Sequence, residues 1–507
     1  APPAGDGESM SRLGLCCLYG NGMEQNDQEA VRWYRKAAEE GFAGAQCDLG
    51  WCYEKGRGVE QNWEEAVRWY RRAAEQDSTT AQCNLGWCCE SGSGVEQSWE
   101  EAVRWYRRAA EQGNPRGQCC LGWCYEAGKG VEQSWEEAAR WYHKAAEQDY
   151  PRAQCNLGWC YESGKGVEQS WEEAARWYRR AAEQDYATAQ CNLGWCCEAG
   201  KGVEQSWEEA VHWYRRAAEQ DYPRGQCSLG WCCEAGKGVE QNWEEAVRWY
   251  RRAAGQDYPR AQCNLGWCYE SGKGVEQNWE EAARWYRKAA EQDYPRAQCN
   301  LGWCYESGSG VEQSWEEAIR WYRRAAELGN ATAQCNLAWC YKNGKGVQRD
   351  WEEAVRWYRK AAGQNFPRAQ CSLGGCYENG EGVERDCQEA VRWYRKAAEQ
   401  NFPRAQCCLG WCYGYGIGVE QSWEEAVHWY RKAAEQGDVS AQCNLGWCCE
   451  NGHGLTQSWE DAVHWYRKAA EGGSDTAQCN RAWCHKNGKG VAQGREEAMH
   501  WYRRAAE

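Results

Sequence analysis

Apolar and polar positions along the chain follow two successive helical periods and then begin again, with a repeat length of 36 residues. The copy Ala261–Arg296 reads AQCNLGWCYESGKGVEQNWEEAARWYRKAAEQDYPR. On a helix, Ala261, Leu265, Cys268 and Tyr269 fall within about 100° of one another and form the face that packs on a partner helix. Cys263, Trp267 and Glu270 fall on the opposite side. The second helical stretch has one broad apolar face of Trp279, Ala282, Ala283, Trp285, Tyr286, Ala289 and Ala290. Its other face carries Glu280, Arg284, Arg287, Lys288 and Glu291, with Glu280/Arg284 and Arg287/Glu291 spaced as i,i+4 ion pairs. Gly266 leaves room for a close neighbour.

Start and stop signals agree with these periods. The spacing predicts a first helix over Pro259–Ser271, opened by a proline that suits the first turn and stopped by Gly272. A loop, Gly272 to Gln277, leads to Asn278, with Glu281 three residues on. That is a capping box, repeated at Ser98/Glu101 and Asn62/Glu65, and the second helix it opens is expected to run to about Gln292. Copies start at Ala45, Ala81, Gly117, Ala153, Ala189, Gly225, Ala261, Ala297, Ala333, Ala369, Ala405, Ala441 and Ala477, after a diverged copy near Ser9. The prediction is an all-α solenoid over 9–507, built between neighbouring copies and without an internal boundary, preceded by a frayed lead-in, 1–8.

Composition and charge narrow the function classes. The net charge of −15 over 507 residues is spread across the copies with no basic stripe, which argues against a nucleic-acid partner. No apolar run is long enough to span a membrane. No signal peptide is visible, but residue 1 is Ala1 rather than Met, so the compartment stays open. Gly272-Lys273-Gly274 lacks the spacing of a phosphate loop. Pairs such as Glu280-Glu281 open helices, where carboxylates favour the dipole, and no histidine pairs with another four residues away. No nucleophile elbow occurs and no copy is set apart as a reaction centre, so an enzyme is not expected and no cofactor is implied.

The 35 cysteines leave alternatives. Cys263 and Cys268 lie about 140° apart on one helix and cannot chelate one ion or bridge each other. Cys268-type residues read as small apolar core fillers. Cys263-type residues sit on the other face, where a thiol row could bind soft metal or heme or respond to redox conditions. The odd total argues against complete disulfide pairing, and free thiols would mean a reducing compartment such as the cytoplasm. The tryptophan row likewise has two readings. Trp159, Trp195, Trp231, Trp267 and Trp303 either pack against adjacent copies or form an open apolar surface, which on this scale would imply a partner. Arg152, Arg260 and Arg296 stand beside them, and tryptophan with arginine is the chemistry of binding hot spots.

The elements Leu265-Gly266…Cys268-Tyr269, Gly272…Gly274-Val275 and Ala282…Trp285-Tyr286…Ala289-Ala290 resemble the Sel-one-like repeat (SLR) family, a relative of the tetratricopeptide repeat, over nearly the whole chain. The resemblance implies a right-handed α/α superhelix whose first helices line a concave wall. It also implies a non-catalytic role, as adaptors in endoplasmic-reticulum degradation or as bacterial proteins that bind other proteins, host factors included. In that layout positions 3, 7, 10 and 36 face the groove. The expected partner-binding residues are therefore Cys155, Trp159, Cys191, Trp195, Cys227, Trp231, Cys263, Trp267, Glu270, Arg296, Cys299 and Trp303, and the expected ligand is a protein or peptide. Some copies depart from the pattern: Gly375 and Cys387 replace tryptophans within one copy. In 477–507, Arg481 fills a core leucine slot and Arg495 a tryptophan slot, as in a terminal cap. Leu15 and Asp27 mark 9–44 as atypical in the same way.

Overall fold

A computed structural model describes residues 7–506 and contains, among them, 28 α-helices and no strand. The helices come in hairpins, one per copy, with bounds close to those the punctuation predicts: α15 spans Pro259–Ser271 and α16 Trp279–Glu291. Of the expected lead-in, residues 1–6 lie outside the described residues, while Gly7 and Glu8 already belong to helix α1, Gly7–Tyr19. The chain falls into two compact units, Ala1–Gln256 and Asp257–Glu507, where the sequence alone predicted no boundary. A solenoid core is assembled pairwise between neighbours, so identical copies carry no mark of where a compact unit ends.

Within the first unit, α9 (Pro151–Ser163) packs on its own second helix α10 (Trp171–Glu183) and on the preceding second helix α8 (Trp135–Glu147). It is therefore enclosed on more than one side. Ala153, Leu157 and Cys160 are buried, as the first apolar face requires, and so are Gln154 and Cys155. Gly158 allows close approach: a Cβ there would lie 2.7 Å from the ring of Tyr178, so with any larger residue the ring or the helix must shift.

The caps differ from expectation in one half. Ser170 Oγ accepts from the Glu173 N–H at 3.3 Å, as a capping serine should. The Ser170 N–H, however, donates to the Tyr161 carbonyl at 3.0 Å, so Glu173 has no reciprocal donor to reach. The second helix is thereby tied to the end of the first. The freed carboxylate pairs with Arg176 at 3.1 Å. Likewise Arg284 pairs with Glu281, three residues back at 2.9 Å, rather than with Glu280, and Arg287 donates to Tyr305 Oη of the next copy at 3.0 Å rather than pairing with Glu291. Spacing alone cannot choose between i,i+3 and cross-copy partners that lie equally near.

At the far end of each hairpin a buried glutamine completes the junction. Gln154 Nε2 donates to the Ala146 carbonyl at 3.2 Å, a second donor beside the Asp149 N–H at the end of the preceding helix. Its Oε1 accepts from Gln184 Nε2 at 2.9 Å. Asp149, held in the left-handed region at φ 57°, accepts from Gln154 and, at 2.7 Å, from Arg180 of the next hairpin.

In the last copy the Arg481 guanidinium lies over Trp501 at 4.1 Å, and its Nε and Nη1 are buried without hydrogen-bond partners. Arg495 opens α28 (Arg495–Ala506) and is exposed.

Candidate functional site

The face predicted to bind a partner comprises positions 36, 3, 7 and 10 of successive first helices, and the structure divides these positions sharply. Cys155, Cys191, Cys227, Cys263 and Cys299 are buried beneath the face rather than set on it, and at Cys155, Cys191, Cys263 and Cys299 the next copy of the same unit covers the thiol. Asn192 Nδ2 reaches Cys155 Sγ at 3.6 Å, and Asn300 Nδ2 reaches Cys263 Sγ at 3.9 Å. Cys479, with no following copy in this sequence packed on it, is exposed. Burial pushes the thiols of Cys155, Cys191 and Cys299 up to about 12. At neutral pH they stay protonated, which is the wrong state for a metal ligand or a nucleophile. Among the described residues no group of three or more His, Cys, Asp or Glu could hold a metal ion.

Glu270 is also internal in role. It is half-buried and accepts from the buried Tyr286 hydroxyl at 2.5 Å, and the same bond recurs at Tyr178/Glu162 and Tyr214/Glu198. Burial first, then the carboxylate, raises the Tyr286 phenol above its ordinary range. Where the glutamate is absent, as at Leu18, the corresponding Tyr34 hydroxyl is buried without a partner.

The tryptophans are what remains at the surface. In the first unit three of them sit against the first tryptophan of the preceding second helix: Trp159 against Trp135 with centroids 5.5 Å apart, Trp195 against Trp171 at 5.6 Å and Trp231 against Trp207 at 5.6 Å. In the second unit Trp303 meets Trp279 at 5.5 Å. These are tilted ring pairs at favourable separation. The two sequence readings are thus both half right. One side of each indole is packed; the other keeps contact with solvent, with Trp159, Trp195, Trp231 and Trp267 part-buried and Trp303 38% exposed.

A loop cation closes the edge of several pairs. Lys165 Nζ lies 4.3 Å from the Trp135 ring and 4.9 Å from that of Trp159, and Lys273 lies 5.1 Å from Trp267. The loop reaches that position because Gly166, at φ 74°, passes so close to the Trp135 carbonyl that any Cβ would collide with it. In the first copy Asp27 stands in the tryptophan slot, and Arg57 meets it as an ion pair at 2.9 Å instead. Arg296 is exposed. The equivalent Arg224 donates to Asn192 at 2.8 Å, which keeps its charge along this face.

Sequence reasoning missed the buried glutamines. A signal existed: glutamine stands at the second position of all thirteen copies from 45 onward, which a solvated residue would not require.

The Sel1 repeat pattern matches fourteen consecutive segments, from 7–42, 43–78 and 79–114 through to 439–474 and 476–507. The chain is similar in structure to a protective antigen present in uropathogenic Escherichia coli strains and described as displaying an SLR fold. The two are 32% identical, with a TM-score of 0.61, over 94% of this chain and 97% of that one. It is also similar to a Sel1 repeat protein from Oxalobacter formigenes, 34% identical over 48% of this chain and 96% of that one, with a TM-score of 0.45. No curated protein sequence matches significantly. Sel1 repeat solenoids are generally non-catalytic scaffolds typical of protein–protein interaction. With matching segments end to end from residue 7 to residue 507, the chain belongs to the Sel1 repeat family.

Proposed function

We propose that the protein is a non-enzymatic scaffold that binds a polypeptide along the first-helix face, through the row of half-open indoles and the arginines beside them. The observation that carries this reading is the indole geometry. Trp159, Trp195 and Trp231 are each fixed on one side by a ring pair and open on the other, so they contribute large apolar area with little conformational freedom left to lose. Bordering arginines such as Arg152 and Arg296 are exposed and suit carboxylates or backbone carbonyls of an extended or helical segment. The thiols and Glu270 support the face from beneath. Metal or heme binding through the thiols draws no support from their burial.

The test is comparative capture with the intact chain and a variant carrying Trp159→Ser, Trp195→Ser and Trp231→Ser, matched for helicity by circular dichroism. A captured protein is then purified and titrated against both forms. Weakening of about tenfold or more in the variant is expected for residues of this type. Equal affinity for both forms would remove the indole row from recognition.

A further inference from the structure

Gly375 is the one departure from tryptophan at its position among the thirteen copies from 45 onward. It lies within helix α21, Pro367–Asn379, directly after Gly374. Two adjacent glycines inside a helix weaken it. Gly374 has a packing reason, since a Cβ there would lie 2.7 Å from the Tyr394 ring. Gly375 has none. A Cβ there would meet only Tyr394 Oη, at the ordinary distance of 3.6 Å, and the position takes no left-handed backbone. The missing side chain therefore leaves space rather than relieving a clash.

That space is a cavity of about 460 Å³ against Gly375, within the range of sites that hold small organic groups. Its aromatic walls are Trp339, Tyr358, Tyr394 and Phe402. A second cavity of about 490 Å³ shares Glu378, Arg404 and Cys408 with it and extends to Trp411. Trp411 is 41% exposed; Cys387 stands where its ring partner would be, and the Tyr415 ring lies tilted against it instead, with centroids 4.1 Å apart.

The charges around the space do not balance locally. Lys342 pairs with Glu381 at 3.0 Å, Glu378 accepts from Tyr394 at 2.6 Å, and Arg368 donates to Asn336 at 3.2 Å. Arg404 lines both cavities and makes no side-chain hydrogen bond or ion pair among the described residues. The asparagine that holds the equivalent Arg224 and Arg368 is Ser372 in this copy, too short to reach it. An aromatic-walled space with one unengaged guanidinium at its rim fits an aromatic ring carried next to a carboxylate.

We propose that the cavity at Gly375 receives a tryptophan side chain of a partner polypeptide, and that Arg404 pairs with an acidic residue flanking that tryptophan. This rests on the reading of the first-helix face as a polypeptide-binding surface and adds an anchor point in the second unit. The partner supplies the indole that this copy lacks. Two of its neighbours, Trp339 and Trp411, flank the gap.

The experiment uses the full chain and capped, fluorophore-labelled pentapeptides in which tryptophan is flanked by two aspartates, by two lysines, or replaced by alanine between aspartates. Binding is read by polarisation. The aspartate-flanked tryptophan peptide is expected to bind saturably, with the lysine-flanked and alanine peptides at least tenfold weaker. Gly375→Trp fills the space from within: it should abolish binding while leaving helicity intact and the unfolding temperature equal or higher. Arg404→Gln should weaken the aspartate-flanked peptide alone. The triple Trp159, Trp195 and Trp231 to Ser variant should bind this peptide as the parent does. Unchanged binding in Gly375→Trp overturns the cavity assignment. If the triple variant loses the peptide while Gly375→Trp retains it, the indole row stands as the binding face and the cavity does not. Absence of saturable binding to the parent chain overturns the proposal outright.

Discussion

Asp48 occupies a position that is asparagine in eight later copies, next to Ser11 of the preceding one. Burial lifts its carboxyl to about 6, only partly opposed by the Ser11 hydrogen bond. An acid whose folded-state pKa lies above its unfolded value binds its proton more tightly when folded. Stability is therefore greatest below the unfolded pKa, falls as pH rises towards 6, and stays at the lower level above it. Asp48→Asn should raise stability by about 1–3 kcal/mol at pH 7 and have little effect near pH 4. Urea unfolding at the two pH values checks this; equal shifts at both would mean that the carboxyl is not destabilised by burial. Thiol chemistry is decided at the same scale. Cys88, Cys160 and Cys232 are buried and pushed up to about 12, whereas Cys479 is exposed. Ellman's reagent on the native chain should show a fast phase that loses amplitude in Cys479→Ser, with most thiols reacting only as denaturant is added. Rapid reaction of the full complement of 35 in buffer would contradict the burial. Sequence reasoning recognised the Cys268 type as core filler but set the Cys263 type on the open face. Helical phase separates two sides of one helix and does not say that the next copy will cover the second.

At the scale of the element, a hairpin such as that of α9 and α10 is locked by a glycine loop that lies on the preceding hairpin of the same unit and by a side chain that caps the second helix. Gly166 combines a left-handed backbone with contact against the Trp135 carbonyl, while Ser170 contributes a single capping bond. Gly166→Ala should lower stability by about 1–3 kcal/mol from backbone strain, with the carbonyl collision in addition. Ser170→Ala should lower it by about 1 kcal/mol. Denaturant midpoints of the two variants rank these effects; the reverse order would mean that the loop tolerates a Cβ by shifting off its neighbour. Helix bounds, stops and caps were legible in sequence because they depend on residues a few positions apart. The reciprocal half of the capping box was not, because the Ser170 N–H finds the Tyr161 carbonyl, and that contact exists only once the two helices are antiparallel.

At the scale of the whole molecule, the copies within a unit are held by neighbour contacts, so one copy should be removable in register. Deleting 153–188 brings Asn192 to the place of Asn156, whose Nδ2 lies 4.0 Å from Cys119 Sγ, and Gln190 to the place of Gln154. The shortened chain should keep its helicity per residue and unfold at a modestly lower denaturant midpoint. Deleting 153–170 instead, half a copy, should abolish cooperative unfolding. Comparable behaviour of the two deletions, followed by circular dichroism, would show that register is not what joins the hairpins.

The sequence by itself determined the repeat, the two helices of each copy, their stops and caps, and the family, because all of these rest on residue type and spacing along one chain. It also made visible the tryptophan row and the break in that row at Gly375. Only the tertiary structure decided which of those positions remain at the surface. The thiols went under, Glu270 turned to Tyr286, and the indoles were left packed on one side and open on the other. Exposure is set by the neighbouring hairpin, and a helical period describes one helix alone.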